Sequence, residues 1–473
     1  MVDRDRDRDR DWDFHLRSLS SSSRDSNFAS DPASDPSLLY SVKKLCELCK
    51  AEKSEDLVAR VYPQFNKLFH RSVASILQSP SSFGLILLAI LQFFLDFGEV
   101  VLHDADPSLR IFFRSCLSRE FADPLVAEAT VDFLNVNRKK LLTSFPTLLP
   151  QFFPLLLKLI AWNGEKLEKA FLKVFPGLMS PGSFLPLFPS LVDLPILVVA
   201  LEKVERNSGP LIGSSIASIQ KSTAPEMLLA LMDEAYTGST IGDGGGDSES
   251  EDSNTIDAVD PVFLDLLKDE NDGLAERHWT SGMAAALQAA INTPQSDRLK
   301  QTLNMAPRLL DVYFATALRD VNDSLICALI PLLMSRNSKL FPDKIFSYEV
   351  RKRLLEFLLA AFQRFPHFIA LLKKPIMDRL GEAYDSSAKT ELALQLCWAI
   401  GEHGGGGGSH KDAARELFES LELLLYENLS SSRLGLSQES ALSSDSATFR
   451  KSSQSRLLCF VVTAIAKLAY IPL

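Results

Sequence analysis

From Leu38 onward, apolar side chains in this chain recur three and four residues apart, and they never alternate at two for more than a few residues. A helix completes a turn in 3.6 residues, so this spacing gathers them on one helical face; a half-buried strand needs the alternation that is missing. Tyr40, Val42, Leu45, Cys46 and Cys49 form one stripe, and Leu57, Val61, Phe65, Leu68 and Phe69 form the next. Phe112, Phe113, Cys116 and Leu117 form a third, begun near Pro107; Leu310, Tyr313, Phe314 and Ala317 form another. Phe346, Val350, Leu354, Phe357 and Ala361 continue over several turns, with Leu355, Leu358, Phe362 and Phe365 as a second stripe alongside. A face that wide is expected of a helix packed on both sides. Breaks fall at Ser79 to Ser82, Asp104 to Pro107 and Pro181 to Ser183, and Pro331, Pro342, Pro366 and Pro375 read as further stops. No Asn-Gly or Asp-Gly turn joins two β-branched runs, so hairpins are not expected. The fold class is all-α.

Ordinary helix lengths predict about 16 to 19 helices with short connections. The chain has 473 residues, which at roughly 150 per domain means about three domains or one long array. Helix pairs succeed one another loosely at about 40 residues, the period of HEAT and armadillo arrays. The expected architecture is a HEAT/armadillo-like α-solenoid of helix pairs, each burying its face on the next; an irregular all-α globule is the alternative. With 46% hydrophobic residues, there is enough apolar material for such a core. Lys and Arg total 50 against 60 Asp and Glu, a net charge of -10. That argues against a nucleic-acid binder, which carries a dense basic surface.

Composition changes along the chain. Residues 1–36 open with alternating Asp and Arg and continue through a serine run, too little apolar surface to offset the entropy of ordering, so a disordered tail is expected. Residues 37–235 are expected to form an amino-terminal solenoid. Residues 236–260 are acidic and rich in Gly and Ser and form the expected linker; within it Ser248 and Ser250 are embedded in acid and are candidate phosphorylation sites. Residues 261–473 are expected to form a carboxyl-terminal solenoid with disordered loops near 404–411 and 430–453. The apolar helix Leu457 to Ile465 follows the second loop and is expected to leave an uncapped edge for a partner.

Six cysteines are too few for a disulfide framework and suit a reducing compartment. Cys116, Cys327, Cys397 and Cys459 sit in apolar stretches and are expected in the core, as are Cys46 and Cys49, whose Cys-x-x-Cys has no second pair. The amino terminus has no apolar stretch of a secretory leader. Phe83 to Leu95 is too short to span a membrane, and Phe145 to Trp162 is interrupted by Pro146, Pro150, Pro154 and Lys158. Gly404 to Gly408 resembles a phosphate loop, but Lys411 is displaced and Asp412 follows it. Gly213-Ser214-Ser215-Ile216-Ala217 lacks the closing glycine of a nucleophile elbow. The histidines are scattered, with no cysteine beside His403 and His410 for zinc. Arg138-Lys139-Lys140 and Arg351-Lys352-Arg353 read as solvated helix edges. No catalytic, cofactor-binding or metal-binding residue and no cofactor is indicated.

Leu396-Cys397-Trp398-Ala399-Ile400-Gly401-Glu402-His403 closes one helix, with Trp398 expected as a core anchor and Gly401 as a position of close packing or helix termination. The segment resembles the Trp-x-x-Gly-Glu-Tyr signature in the trunks of the large adaptin subunits, with His403 in place of Tyr. Ser190 to Pro195, the helix from Phe346 to Phe365 and Glu391 to Glu402 resemble the zeta-subunit family of the fifth adaptor protein complex, in a plant-like version, over most of residues 37–473. Members of that family are often longer. The resemblance implies a non-catalytic scaffold in a heterotetramer with beta, mu and sigma adaptin-type subunits, serving endosomal and lysosomal vesicle trafficking and protein transport. It implies links to spatacsin and spastizin, and a cytoplasmic place, peripheral on late endosome and lysosome membranes through its partners. A generic HEAT-type transport or cargo receptor and a helical enzyme with an unrecognised site are the rival classes.

Overall fold

The computed structural model describes residues 12–19, 36–76, 83–222, 266–271, 295–385, 389–405, 411–435 and 444–470. Among them every regular element is helical and there is no strand. Two compact units emerge. The first is drawn from Met1–Ser183, Leu194–Leu274 and Thr280–Met305, the second from Phe184–Asp193, Ala275–Trp279 and Ala306–Leu473. Each unit draws on sequence from both sides of the acidic stretch 236–260, which itself lies outside the described residues. Contacts, not composition, set the units: Leu266 and Leu267, downstream of the acidic stretch, are buried in the first, while the Phe184 ring stacks on Tyr313 at 5.2 Å in the second.

Within the first unit, helices pack on near neighbours in sequence, as an α-solenoid requires. Pro36–Glu52 and Glu55–Ile76 lie on Gly84–Phe97, which also meets Pro124–Val136; Pro124–Val136 meets Glu165–Val174, and Phe153–Asn163 meets Leu194–Ser208. Leu57, Val61, Phe65 and Phe69 are buried as their spacing predicts, and the Phe65 and Phe93 rings meet edge-on at 4.9 Å. Such aromatic pairs add roughly 0.5–1.5 kcal/mol beyond area burial. Tyr40, placed in the first stripe, is 60% exposed. Phe112–Leu117 is a π-helical turn between Ala105–Ile111 and Ser118–Glu120. From the end of this run Glu120 accepts hydrogen bonds from the backbone N–H of Phe83 (3.1 Å) and Gly84 (3.0 Å), capping Gly84–Phe97. Gly213 lies so close to the same run that a Cβ there would be 2.0 Å from the Arg119 carbonyl oxygen.

The amino-terminal tail is not wholly unstructured. Residues 12–19 form a helix with His15 and Leu19 buried. His15 Nδ1 lies 3.1 Å from Ser41 Oγ, and the Arg60 guanidinium covers the Trp12 ring at 4.5 Å. Trp12, His15 and Leu19 stand three and four apart, a stripe too short to show against the charged repeat around it.

The second unit follows the same rule. Phe184–Val192 packs on Asp323–Arg336, Lys344–Arg364 on Thr390–His403, and Lys373–Asp385 on both Thr390–His403 and Lys411–Gly435. Phe346, Val350, Leu354, Phe357 and Ala361 are all buried. Pro331 does not stop a helix; it lies inside Asp323–Arg336. The loop expected at 430–453 is also displaced: Lys411–Gly435 and Ser444–Ala469 are helices that cover both of its ends, and 436–443 lies outside the described residues.

Helix ends in both units are closed by side chains. Asp104, Asp123, Asn322 and Asp343 accept hydrogen bonds from first-turn N–H groups, each cap contributing about 1 kcal/mol. The basic runs serve the opposite ends. Lys140 donates to the Leu95 carbonyl, Arg138 to Lys173 at 3.0 Å and Arg351 to Asn337 at 3.0 Å, each at the last turn of a neighbouring helix. Cations there offset the negative end of the helix dipole. These three are thus helix caps rather than free solvated edges. No single helix among the described residues is long and apolar enough to cross a membrane.

Candidate functional site

Thr390–His403 buries Ala393, Leu396, Cys397 and Ile400. Its other face is Glu391, Gln395, Trp398 and Glu402, spaced by four, three and four. Trp398 is 41% exposed, so it is not the core anchor expected of it. The apolar neighbours that suggested burial adjoin it in sequence but lie on the other face. Its ring stands edge-on to His403, centroids 5.9 Å apart, and the His403 Nε2 is buried without a hydrogen-bond partner. Gly401 is the point of close approach to Ser444–Ala469: a Cβ there would lie 3.2 Å from Ala464 Cα and 3.2 Å from Lys467 Cδ. Glu402 pairs with Lys467 across the same contact. The glycine and glutamate of the signature therefore join two helices, and the tryptophan faces outward.

Ser444–Ala469 buries Leu457, Val461, Ala464 and Leu468 and leaves Val462 and Cys459 exposed. Cys459 was expected in the core; it falls off the buried stripe, and Cys327 is only half-buried. Lys411–Gly435 buries Ala414, Leu417, Leu421 and Leu424 but exposes Leu423, Tyr426 and Leu429, three apart in a row. Scattered apolar residues are normal at a protein surface; a row at helical spacing is a face that nothing among the described residues covers. Ile345 and Tyr348 form a shorter exposed pair on Lys344–Arg364. The row is visible in the sequence, but the helix also carries the stripe Ala414, Leu417, Leu421 and Leu424, and spacing alone does not tell the covered stripe from the exposed one.

The titratable groups point to packing. Burial pushes the Cys46, Cys49 and Cys397 thiols up to about 12 and raises Cys116 well above its ordinary value, so these thiols stay protonated and poorly nucleophilic. Burial lowers His103, whose Nδ1 and Nε2 lie 3.1 Å from Tyr62 Oη and 3.2 Å from Ser108 Oγ. Asp193 and Arg336 form a buried ion pair in the second unit. Among the described residues, no group of three or more His, Cys, Asp or Glu could hold a metal. Gly404 ends a helix, its N–H bonded to the Ile400 carbonyl at 2.8 Å, and residues 406–410 lie outside the described set. Ser248 and Ser250 lie outside it too.

Two family models match this chain. One, for an AP-5 complex subunit in vesicle trafficking, matches residues 33–158; the other, for the C-terminal TPR repeats of AP-5 complex subunit zeta-1, matches residues 247–470. The chain belongs to the AP-5 zeta-subunit family. It is 25% identical over 396 residues to AP-5 complex subunit zeta-1 of Mus musculus, covering 82% of this chain and 45% of that protein. Against the Homo sapiens protein of the same name the identity is 25% over 345 residues, covering 72% of this chain and 39% of that one. The chain thus spans less than half the length of these curated relatives. No solved structure matches it. Family membership also bears on repeat type: the carboxyl-terminal match describes TPR repeats where a loose spacing suggests HEAT or armadillo. Both build α-solenoids from helix pairs, which degenerate spacing does not distinguish.

Proposed function

We propose that this chain is a non-catalytic scaffold subunit of an AP-5-type adaptor complex in vesicle trafficking and protein transport. The observation that carries the reading is the pair of AP-5 family matches, which fall on sequence from both structural units. The physical arrangement supports it. Ion pairs and buried thiols are spent on joining helices, while the row Leu423, Tyr426 and Leu429 and the exposed Trp398 offer the apolar and aromatic contact that subunit interfaces favour. Its partners in this reading are beta, mu and sigma adaptin-type subunits, with spatacsin and spastizin by family resemblance. It reaches late endosomal and lysosomal membranes from the cytoplasm through those partners. Ser248 and Ser250 are its sites of regulation by phosphorylation.

Affinity purification of the tagged full chain from its own cells tests the reading. Recovery of beta, mu and sigma adaptin-type subunits in comparable amounts is expected. A folded, expressed chain that recovers none of them, or recovers nuclear transport cargo instead, overturns it.

A further inference from the structure

Phe153–Asn163 is apolar and buried almost throughout, and at its centre stands Lys158, whose side chain is 0% exposed. Both hydrogen bonds of its ammonium go to one short segment: the Leu267 carbonyl at 2.6 Å and the Asp269 carboxylate at 2.5 Å. Arg114 holds the next acid in a two-pronged contact, Nε to Glu270 Oε1 at 2.6 Å and Nη2 to Oε2 at 3.1 Å, and Gln151 Nε2 donates to the same carboxylate at 2.5 Å. The main chain of the segment is read as well. Leu155 N–H donates to the Asp269 carbonyl at 3.3 Å, Asn271 N–H donates to the Gln151 carbonyl at 2.7 Å, and Gln220 Nε2 donates to the Leu267 carbonyl at 2.5 Å. Leu266 and Leu267 fill the apolar end of the cradle.

This is more than a strap needs in order to stay down. Replacing a buried ion pair with apolar side chains of similar volume is often neutral or stabilising, so stability alone does not call for Lys158 among leucines. What the lysine, the arginine fork and the main-chain bonds add is selectivity, for a short bent segment in which two apolar residues, Leu266 and Leu267, are separated by Lys268 from two carboxylates, Asp269 and Glu270. From this we infer that the Lys158–Arg114–Gln151 cradle is a peptide-recognition site for acidic segments of that form, held closed in cis by residues 266–271. A segment of the same chemistry on a partner protein competes for it. The main-chain bonds favour a peptide over a free anion. The inference is independent of which adaptin subunits the chain assembles with.

Fluorescence anisotropy of a labelled synthetic peptide of residues 262–272 against the full-length chain tests this. A tethered segment competes at an effective concentration that reaches the millimolar range, so wild type should bind the free peptide poorly. D269N/E270Q, which neutralises the resident segment without changing its shape, should bind it at least tenfold more tightly. Adding Lys158→Met to that variant should undo the gain at least tenfold; if the triple variant melts below the assay temperature, Arg114→Gln at its half-exposed position is read in its place. Equal binding by wild type and D269N/E270Q, with native far-UV circular dichroism, overturns the inference. So does binding indifferent to both Lys158 and Arg114, or displacement by inorganic phosphate as effective as by unlabelled peptide.

Discussion

Two glycines inside helices should respond to alanine in opposite directions. A solvent-facing helical Gly→Ala change normally stabilises by about 0.5–1 kcal/mol, because glycine loses more backbone entropy on folding. Gly381, in Lys373–Asp385, meets nothing within 4 Å of a built Cβ, so Gly381→Ala should follow that rule. Gly213, in Ile212–Ser222, would place its Cβ 2.0 Å from the Arg119 carbonyl oxygen, 2.5 Å from its carbon and 2.7 Å from its Cα. These are backbone atoms and cannot rotate away. Ordinary contact begins near 3.4 Å, so the two helices must part by more than an ångström. Overpacking of that kind costs about 1–3 kcal/mol, more than the entropic gain. Gly213→Ala should therefore lower the urea midpoint of the full chain and Gly381→Ala should raise it, both followed by far-UV circular dichroism. A Gly213→Ala midpoint at or above wild type would refute the close contact and, with it, the packing of this helix on Ser118–Glu120.

Trp398→Ala should cost about 1–2 kcal/mol in the same assay, below the roughly 3–5 kcal/mol of a buried aromatic, because the ring is half out and leaves no closed cavity; a larger loss would return Trp398 to the core. Burial raises Glu120 to about 7 against the pull of the Phe83 and Gly84 N–H groups. A carboxyl raised in the folded state binds its proton more tightly there, so its stabilisation is present below the unfolded value near 4.5 and lost as pH rises through about 7. Melting of wild type against Glu120→Gln from pH 5 to 8 should show up to about 3 kcal/mol lost by wild type alone; parallel profiles would contradict it. Deleting residues 1–20 removes buried Leu19 and the His15 contact and should destabilise the first unit by about 2 kcal/mol, read from the same midpoints; an unchanged midpoint would mean the segment does not dock.

Helical spacing predicts the elements well because period is a local property: the stripe through Phe346, Val350, Leu354, Phe357 and Ala361 is buried as written. What spacing does not carry is which face a neighbour will cover. Trp398 follows Leu392, Leu394 and Leu396 and precedes Ala399 and Ile400 in sequence, yet it shares its face with Glu391, Gln395 and Glu402, and that polar stripe is the better guide. Cys459 likewise falls between the buried positions Leu457 and Val461. Lys158 read as an interruption of an apolar run; only the return of Asp269 from more than a hundred residues away shows why a charge is there. Pro331 inside a helix shows that packing can override a local stop. The exposed row on Lys411–Gly435 was present in the sequence as Leu423, Tyr426 and Leu429, but a second apolar stripe on a helix does not say whether it meets its own chain or another.

The scaffold reading stands on assembly, and co-expression tests assembly most directly. The full chain produced together with beta, mu and sigma adaptin-type subunits, and passed over a sizing column with light scattering, should elute in one peak of equal stoichiometry. In that experiment Leu423→Asp/Tyr426→Asp should leave the chain folded by circular dichroism while weakening its place in the peak. A wild-type chain that elutes alone, folded, beside an intact assembly of the other three would contradict the account.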